Sequence, residues 1–325
     1  MARISRDVFL EIAQHLDVKT LFKLCETSKE ANMLLKTYER SLSQLRLANF
    51  PVPPTGDVLS SELYLRRPIK HRSFEMLLEL ENRKSRVKDI LTASPHFNLK
   101  SPPGLGELTI PQQERLCALL YRAFAQCDYI ADIAANTPCQ LPEAQWYKPR
   151  FISWWIGRDV PEGFRLKDPY TNYSARPTQM EYIRNLSKQD CIMMYYLMNM
   201  MGSCFVKSRE DWILSDPAFY ERTIVFKECV LRHGSWYAWA HFMGNSEWEI
   251  MTVDIARIGM AELNRFEYGD QDAICSLQSV LIGRFNELHE SPDNKTEVVQ
   301  QAVRSLITAN IDDSDDRDRD EEDQE

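Results

Sequence analysis

Residues 4–17 read Ile-Ser-Arg-Asp-Val-Phe-Leu-Glu-Ile-Ala-Gln-His-Leu-Asp, and the rest of the chain is organised around them. Ile4, Val8, Ile12 and Leu16 recur every four residues, with Phe9 beside Val8. Steps of four drift by only about 40° around a helix, so these side chains form one apolar stripe. Ser5 stands where an N-cap is expected, and Asp7 places an acid in the first turn. Asp17 then suits the cap of a second short helix carrying Leu21, Phe22, Leu24 and Cys25. Thr27 or Ser28 suits the start of a third, with Ala31, Met33, Leu34 and Leu35. A unit of about 45 residues cannot bury that much apolar surface internally, so the pattern calls for a partner or a neighbouring domain.

This layout resembles an F-box, the module that docks a substrate receptor onto the Skp-type adaptor of a cullin ubiquitin ligase. Ile4-Ser5-Arg6-Asp7-Val8 stands where the family has Leu-Pro-x-Glu followed by an apolar residue. Ile12 and Leu16 match the next anchors, Leu21 and Leu24 the second helix, and Thr27-Ser28-Lys29 the Val-Ser-Lys segment. The chain departs from the pattern at Ser5, Thr27 and Ala31. The resemblance implies that Ile4, Val8, Ile12, Leu16, Leu21 and Leu24 bind the adaptor protein, and that the remainder binds an unknown protein substrate. On this reading the chain is not an enzyme and needs no cofactor.

Composition supports an all-α protein. Of 325 residues, 44% are hydrophobic and only 11 are glycine, which favours helices over turn-rich sheet. The expected layout is an F-box-like helical module over 1–50, a Pro-rich linker over 51–58 carrying Pro51, Pro53 and Pro54, and a larger irregular α-helical domain over 59–311. A disordered acidic tail over 312–325 completes it. That tail holds ten acids and two arginines, and so accounts for −8 of the net charge of −9. The body is near neutral, which gives no support to nucleic-acid binding. Neither an N-terminal apolar leader nor a membrane-length apolar run is visible, and no basic amphipathic helix points to a lipid surface. A cytoplasmic or nuclear location is expected, with the eight scattered cysteines reduced.

Along the body, periodicity predicts helices over 41–49, 73–91, 111–135, 180–206, 216–233, 235–244, 246–263, 272–289 and 296–311. The charged centre of the second, Glu79 to Lys88, leaves its apolar face narrow. Five methionines between Met193 and Met201 lie in a run apolar on nearly all sides, as in a buried core helix. Gly234 is placed to terminate one helix and Ser235 to cap the next. The phrase from Arg232 to Trp239 resembles one in fungal proteins of unassigned function, and carries no activity with it. Aromatic clusters supply further candidates for partner binding: Trp146, Trp154 and Trp155 in a proline-broken connection, and Trp236 and Trp239.

Walker, Gly-x-Ser-x-Gly, His-Glu-x-x-His and EF-hand patterns are absent. Gly104-Leu105-Gly106 follows no strand and lacks a third glycine. His233 and His241, eight residues apart, are the best metal pair, and Gly234 separates them. Two other readings compete with the adaptor. One is an α-helical interaction scaffold whose N-terminal helices belong to a single core. The other is a small-molecule binder or enzyme with a pocket near the aromatic clusters.

Overall fold

A computed structural model describes residues 5–61, 66–138, 173–209, 218–244, 246–267, 276–290 and 294–309. Among these the chain forms twelve α-helices and one two-stranded antiparallel sheet, so the fold is all-α. It divides into two compact units, residues 1–85 with 131–175, and residues 86–130 with 176–325. The aromatic connection at 139–172 and the acidic tail lie outside the described residues.

In the first unit, α1 (Arg6–His15), α2 (Val18–Thr27) and α3 (Lys29–Leu47) begin at Ser5, Asp17 and Ser28. Each cap side chain accepts from a backbone amide three residues on: Val8 at 3.4 Å, Thr20 at 2.8 Å and Ala31 at 3.0 Å. The separate helix expected over 41–49 is the continuation of α3, because nothing between Leu35 and Leu42 interrupts it. Arg46 of α3 donates to the carbonyls of Ala13, Gln14 and Leu16, which satisfies the C-terminal end of α1 with a cation.

The expected partition at 51–58 differs from this division. β1 (Val58–Leu59) and β2 (Pro68–Ile69) pair as Val58↔Ile69 and Leu59↔Pro68. Val58, Ile69 and the start of α4 (Phe74–Ala93) share one core with Ala13, Val18, Leu21, Leu35, Leu42 and Leu47. The prolines end α3, but the apolar surface of the first three helices is completed by residues 58–80. The charged middle of α4 is also explained. Buried Arg83 donates to Asp132 near the end of α5 (Ile110–Ile133) through both terminal nitrogens at 2.7 Å, and to Glu79 at 3.2 Å. It donates to the Leu59 carbonyl as well, while Asp132 accepts from the Leu59 amide.

In the second unit the single helix expected over 180–206 is two: α6 (Arg176–Arg184) and α7 (Lys188–Ser208). They part at Ser187, whose hydroxyl caps α7 by accepting from Asp190 N at 3.1 Å. The methionine run is the buried centre of α7, with Met193, Met194, Met198, Met200 and Met201 all inward. Around α7 pack α8 (Phe219–His233), α11 (Leu277–Leu288) and α12 (Lys295–Thr308). α9 (Ser235–Met243) and α10 (Ser246–Glu267) flank α8.

Candidate docking surface

α1 has two apolar faces. Phe9, Leu10 and Leu16 pack against the core beside fully buried Ala13. Val8 and Ile12 point outward, 52% and 44% exposed. The four-residue stripe splits because its drift accumulates: from Val8 to Leu16 it turns about 80°, which carries Leu16 onto the inner face. Leu24 is half-buried. Leu21 is fully buried and holds the three helices together. It is thus removed from the expected contact set, and Ile4 lies outside the described residues. Glu11 and His15 border Val8 and Ile12 at 3.6 Å from each other, an exposed pair that contributes little to stability.

Three further exposed apolar side chains lie on α3: Leu45 at 60% and Tyr38 at 37% share one side, and Met33 at 66% lies about 120–140° around the helix from them. Five of the nine large apolar side chains exposed among the described residues therefore lie within α1 and α3. Single exposed apolar residues are ordinary, so the adjacent pair Val8 and Ile12 on α1 is the candidate contact. The α3 positions were missed because Met33 counts equally well as core by composition. Only its offset from the inward Ala31, Leu35 and Leu42 distinguishes it.

The aromatic candidates fare differently. Trp236 is 1% exposed and fills the core of the second unit, so it is not a contact residue. Trp239 is half-buried, and Trp146, Trp154 and Trp155 lie outside the described residues.

The polar centre of the second unit is built by carboxylates that cap helices from outside. Gly234, at φ 73, ends α8 and leaves α9 without a side-chain cap of its own. Asp128 of α5 replaces it, accepting from Ser235 N at 2.7 Å and from the Ser235 hydroxyl at 2.8 and 3.0 Å. Glu228 of α8 reinforces Ser276, the cap of α11, accepting from Leu277 N and Gln278 N at 3.0 Å each while Arg232 donates to it at 2.7 Å. Burial alone would raise the Glu228 carboxyl. The Arg232 and Arg176 guanidiniums and the two amides outweigh that and hold it down at about 2. In the first unit Glu39 accepts from Phe74 N at 2.7 Å. Each carboxylate meets the positive end of a helix and satisfies an otherwise open amide.

These groups are structural. The Ser235 hydroxyl is fully buried and donates to a carboxylate rather than to a histidine, so no nucleophile is activated there. The thiols of Cys191, Cys204 and Cys229 are pushed up to about 12 by burial, far from the reactive thiolate range. Among the described residues no group of three His, Cys, Asp or Glu side chains is placed to hold a metal ion, and no helix is long and apolar enough to cross a membrane. Compared with protein families, curated proteins and solved structures, the chain matches none.

Proposed function

We propose that the chain is an F-box-type substrate-recognition adaptor, docking a Skp-type protein through α1 and presenting a protein substrate bound by its α-helical body. The observation that carries this is the outward pair Val8 and Ile12 on a helix whose other face is already committed to the core. The order of three capped helices and the motif residues Ile12, Leu24 and Ser28 support it. Each outward side chain is already about half covered, so covering the rest would contribute roughly 0.7–1.5 kcal/mol, and a stable complex needs a patch of about 800 Å² per partner. The chain breaks no bond on this reading. It raises the local concentration of substrate at the ligase.

Amide hydrogen exchange of the full-length protein, with and without a purified Skp-type adaptor, tests the proposal. Added protection in α1 and α2 supports it; an exchange pattern left unchanged by saturating adaptor rejects it.

A second reading has its own observation. The core shared by α1–α3 with Val58, Ile69 and Phe74 makes the N-terminal helices an integral part of a larger unit, as in an interaction scaffold. The two separate on partner choice, since a scaffold has no preference for the Skp-type adaptor.

A further inference from the structure

α1 is the helix of the first unit that its own sequence holds least. It has ten residues, too few for a stable helix in isolation. Only Ala13 on it is buried, against Val18 and Leu21 on α2 and five side chains on α3. Its C-terminal end has neither a glycine nor a left-handed residue. Leu16 runs extended, at φ -74 and ψ 145, straight into Asp17, the cap of α2. The last carbonyls of α1 therefore need donors from elsewhere. His15, the basic residue of the last turn, sits beside Glu11 instead.

Arg46 of α3 supplies those donors. Its Nη2 donates to Ala13 O at 2.8 Å, to Gln14 O at 3.1 Å and to Leu16 O. Glu81 of α4 and Asp17 attract the guanidinium electrostatically at this place. The carbonyls of Ala13 and Gln14 lie about 100° apart around the helix, and Leu16 lies past its end. One group gripping all three fixes both the tilt and the rotation of α1. That rotation sends Phe9, Ala13 and Leu16 inward and leaves Val8 and Ile12 outside.

We propose that Arg46 is the positioning residue of the docking pair: it latches α1 to the first unit, and loss of the contact releases α1 ahead of α2 and α3. Its effect on docking rests on the proposed adaptor role; the latch itself does not.

Amide hydrogen exchange of the full-length protein without adaptor tests the latch, and calorimetric titration with a purified Skp-type adaptor tests its consequence. Arg46→Met keeps the apolar stem and removes the donors. It should speed exchange of the α1 amides about 10- to 100-fold, as for charge-assisted hydrogen bonds lost from one helix end, and that of the α3 centre, Leu35 to Leu42, less than about threefold. Arg46→Lys keeps the charge without the planar fork and should fall between parent and Arg46→Met. Where Arg46→Met does not fold, Arg46→Lys decides alone, on a rise of about three- to tenfold confined to α1. Adaptor affinity of Arg46→Met should drop at least about threefold although Val8 and Ile12 are unchanged. The proposal is overturned by parent-like exchange in α1, by equal acceleration in α1, α2 and α3, or by selective release of α1 that leaves adaptor affinity intact. Absence of adaptor binding by the parent rejects the adaptor role, and the exchange comparison then decides on the latch.

Discussion

Replacing Glu228 by glutamine removes the charge that joins α8 to α11 while keeping the shape of the side chain. The carboxyl has an ordinary value of 4.5 and sits at about 2 in the folded chain. Its charged form is therefore held about 3 kcal/mol better than in the unfolded chain. Glutamine still offers one carbonyl oxygen, so one of the Leu277 and Gln278 amides stays satisfied. Arg232 keeps Glu262 but loses the opposite charge of Glu228. A loss of about 3 kcal/mol is expected at pH 7, which lowers the melting temperature of a unit of this size by roughly 6–12 °C. Because the folded value lies below the unfolded one, the contribution is complete above about pH 4.5 and fades as the pH drops towards 2. Thermal unfolding followed by circular dichroism, for both proteins between pH 7 and pH 2.5, gives the comparison. A melting temperature for Glu228→Gln within 2 °C of the parent at pH 7, or a gap that stays constant as the solution is acidified, would refute the reasoning.

In a urea titration, Val8→Asp and Ile12→Asp should each cost no more than about 1.5 kcal/mol, since only about half of each side chain is covered. Leu21→Ala should cost about 2–5 kcal/mol by urea titration. Gly234→Ala forces a side chain onto φ 73 and sets its Cβ 2.9 Å from the Asp128 Cα. About 3 kcal/mol or more should be lost, read as a drop in the urea midpoint. Burial among Phe205, Phe226 and Phe242, with Arg209 and His96 nearby, pushes His241 down to about 3. The unfolded chain then binds a proton that the folded chain refuses, so stability falls as pH drops below about 6.5, by about 1.4 kcal/mol per pH unit until about pH 3. His241→Phe should flatten that slope, and an unaltered slope would remove His241 from the account.

Local signals carried much of the fold. Ser5, Asp17 and Ser28 cap helices because a short polar side chain ahead of an apolar period has one good use there. The methionine run is core because a helix apolar on all sides has nowhere else to go. What stayed illegible is non-local. Arg83 is buried in α4 only because Asp132, 49 residues on, meets it. The two-residue strands are too short for any period to show, and their core role depends on α1–α3 reaching them. Glu228 and Asp128 look like ordinary helix-surface acids until the helices they cap are placed beside them. At the docking surface the stripe was visible, but not which half of it the core would take. Leu16 and Leu21 went inward, and Val8 and Ile12 remained.

Isothermal titration of the full-length protein with a purified Skp-type adaptor measures the docking directly. One-to-one binding in the micromolar range or tighter is expected, weakened roughly 30- to 1,000-fold when Val8 and Ile12 are both aspartate, as for a hot-spot loss of about 2–4 kcal/mol. Saturable binding that ignores the double substitution, or none at about 100 µM adaptor with the protein folded, would contradict it.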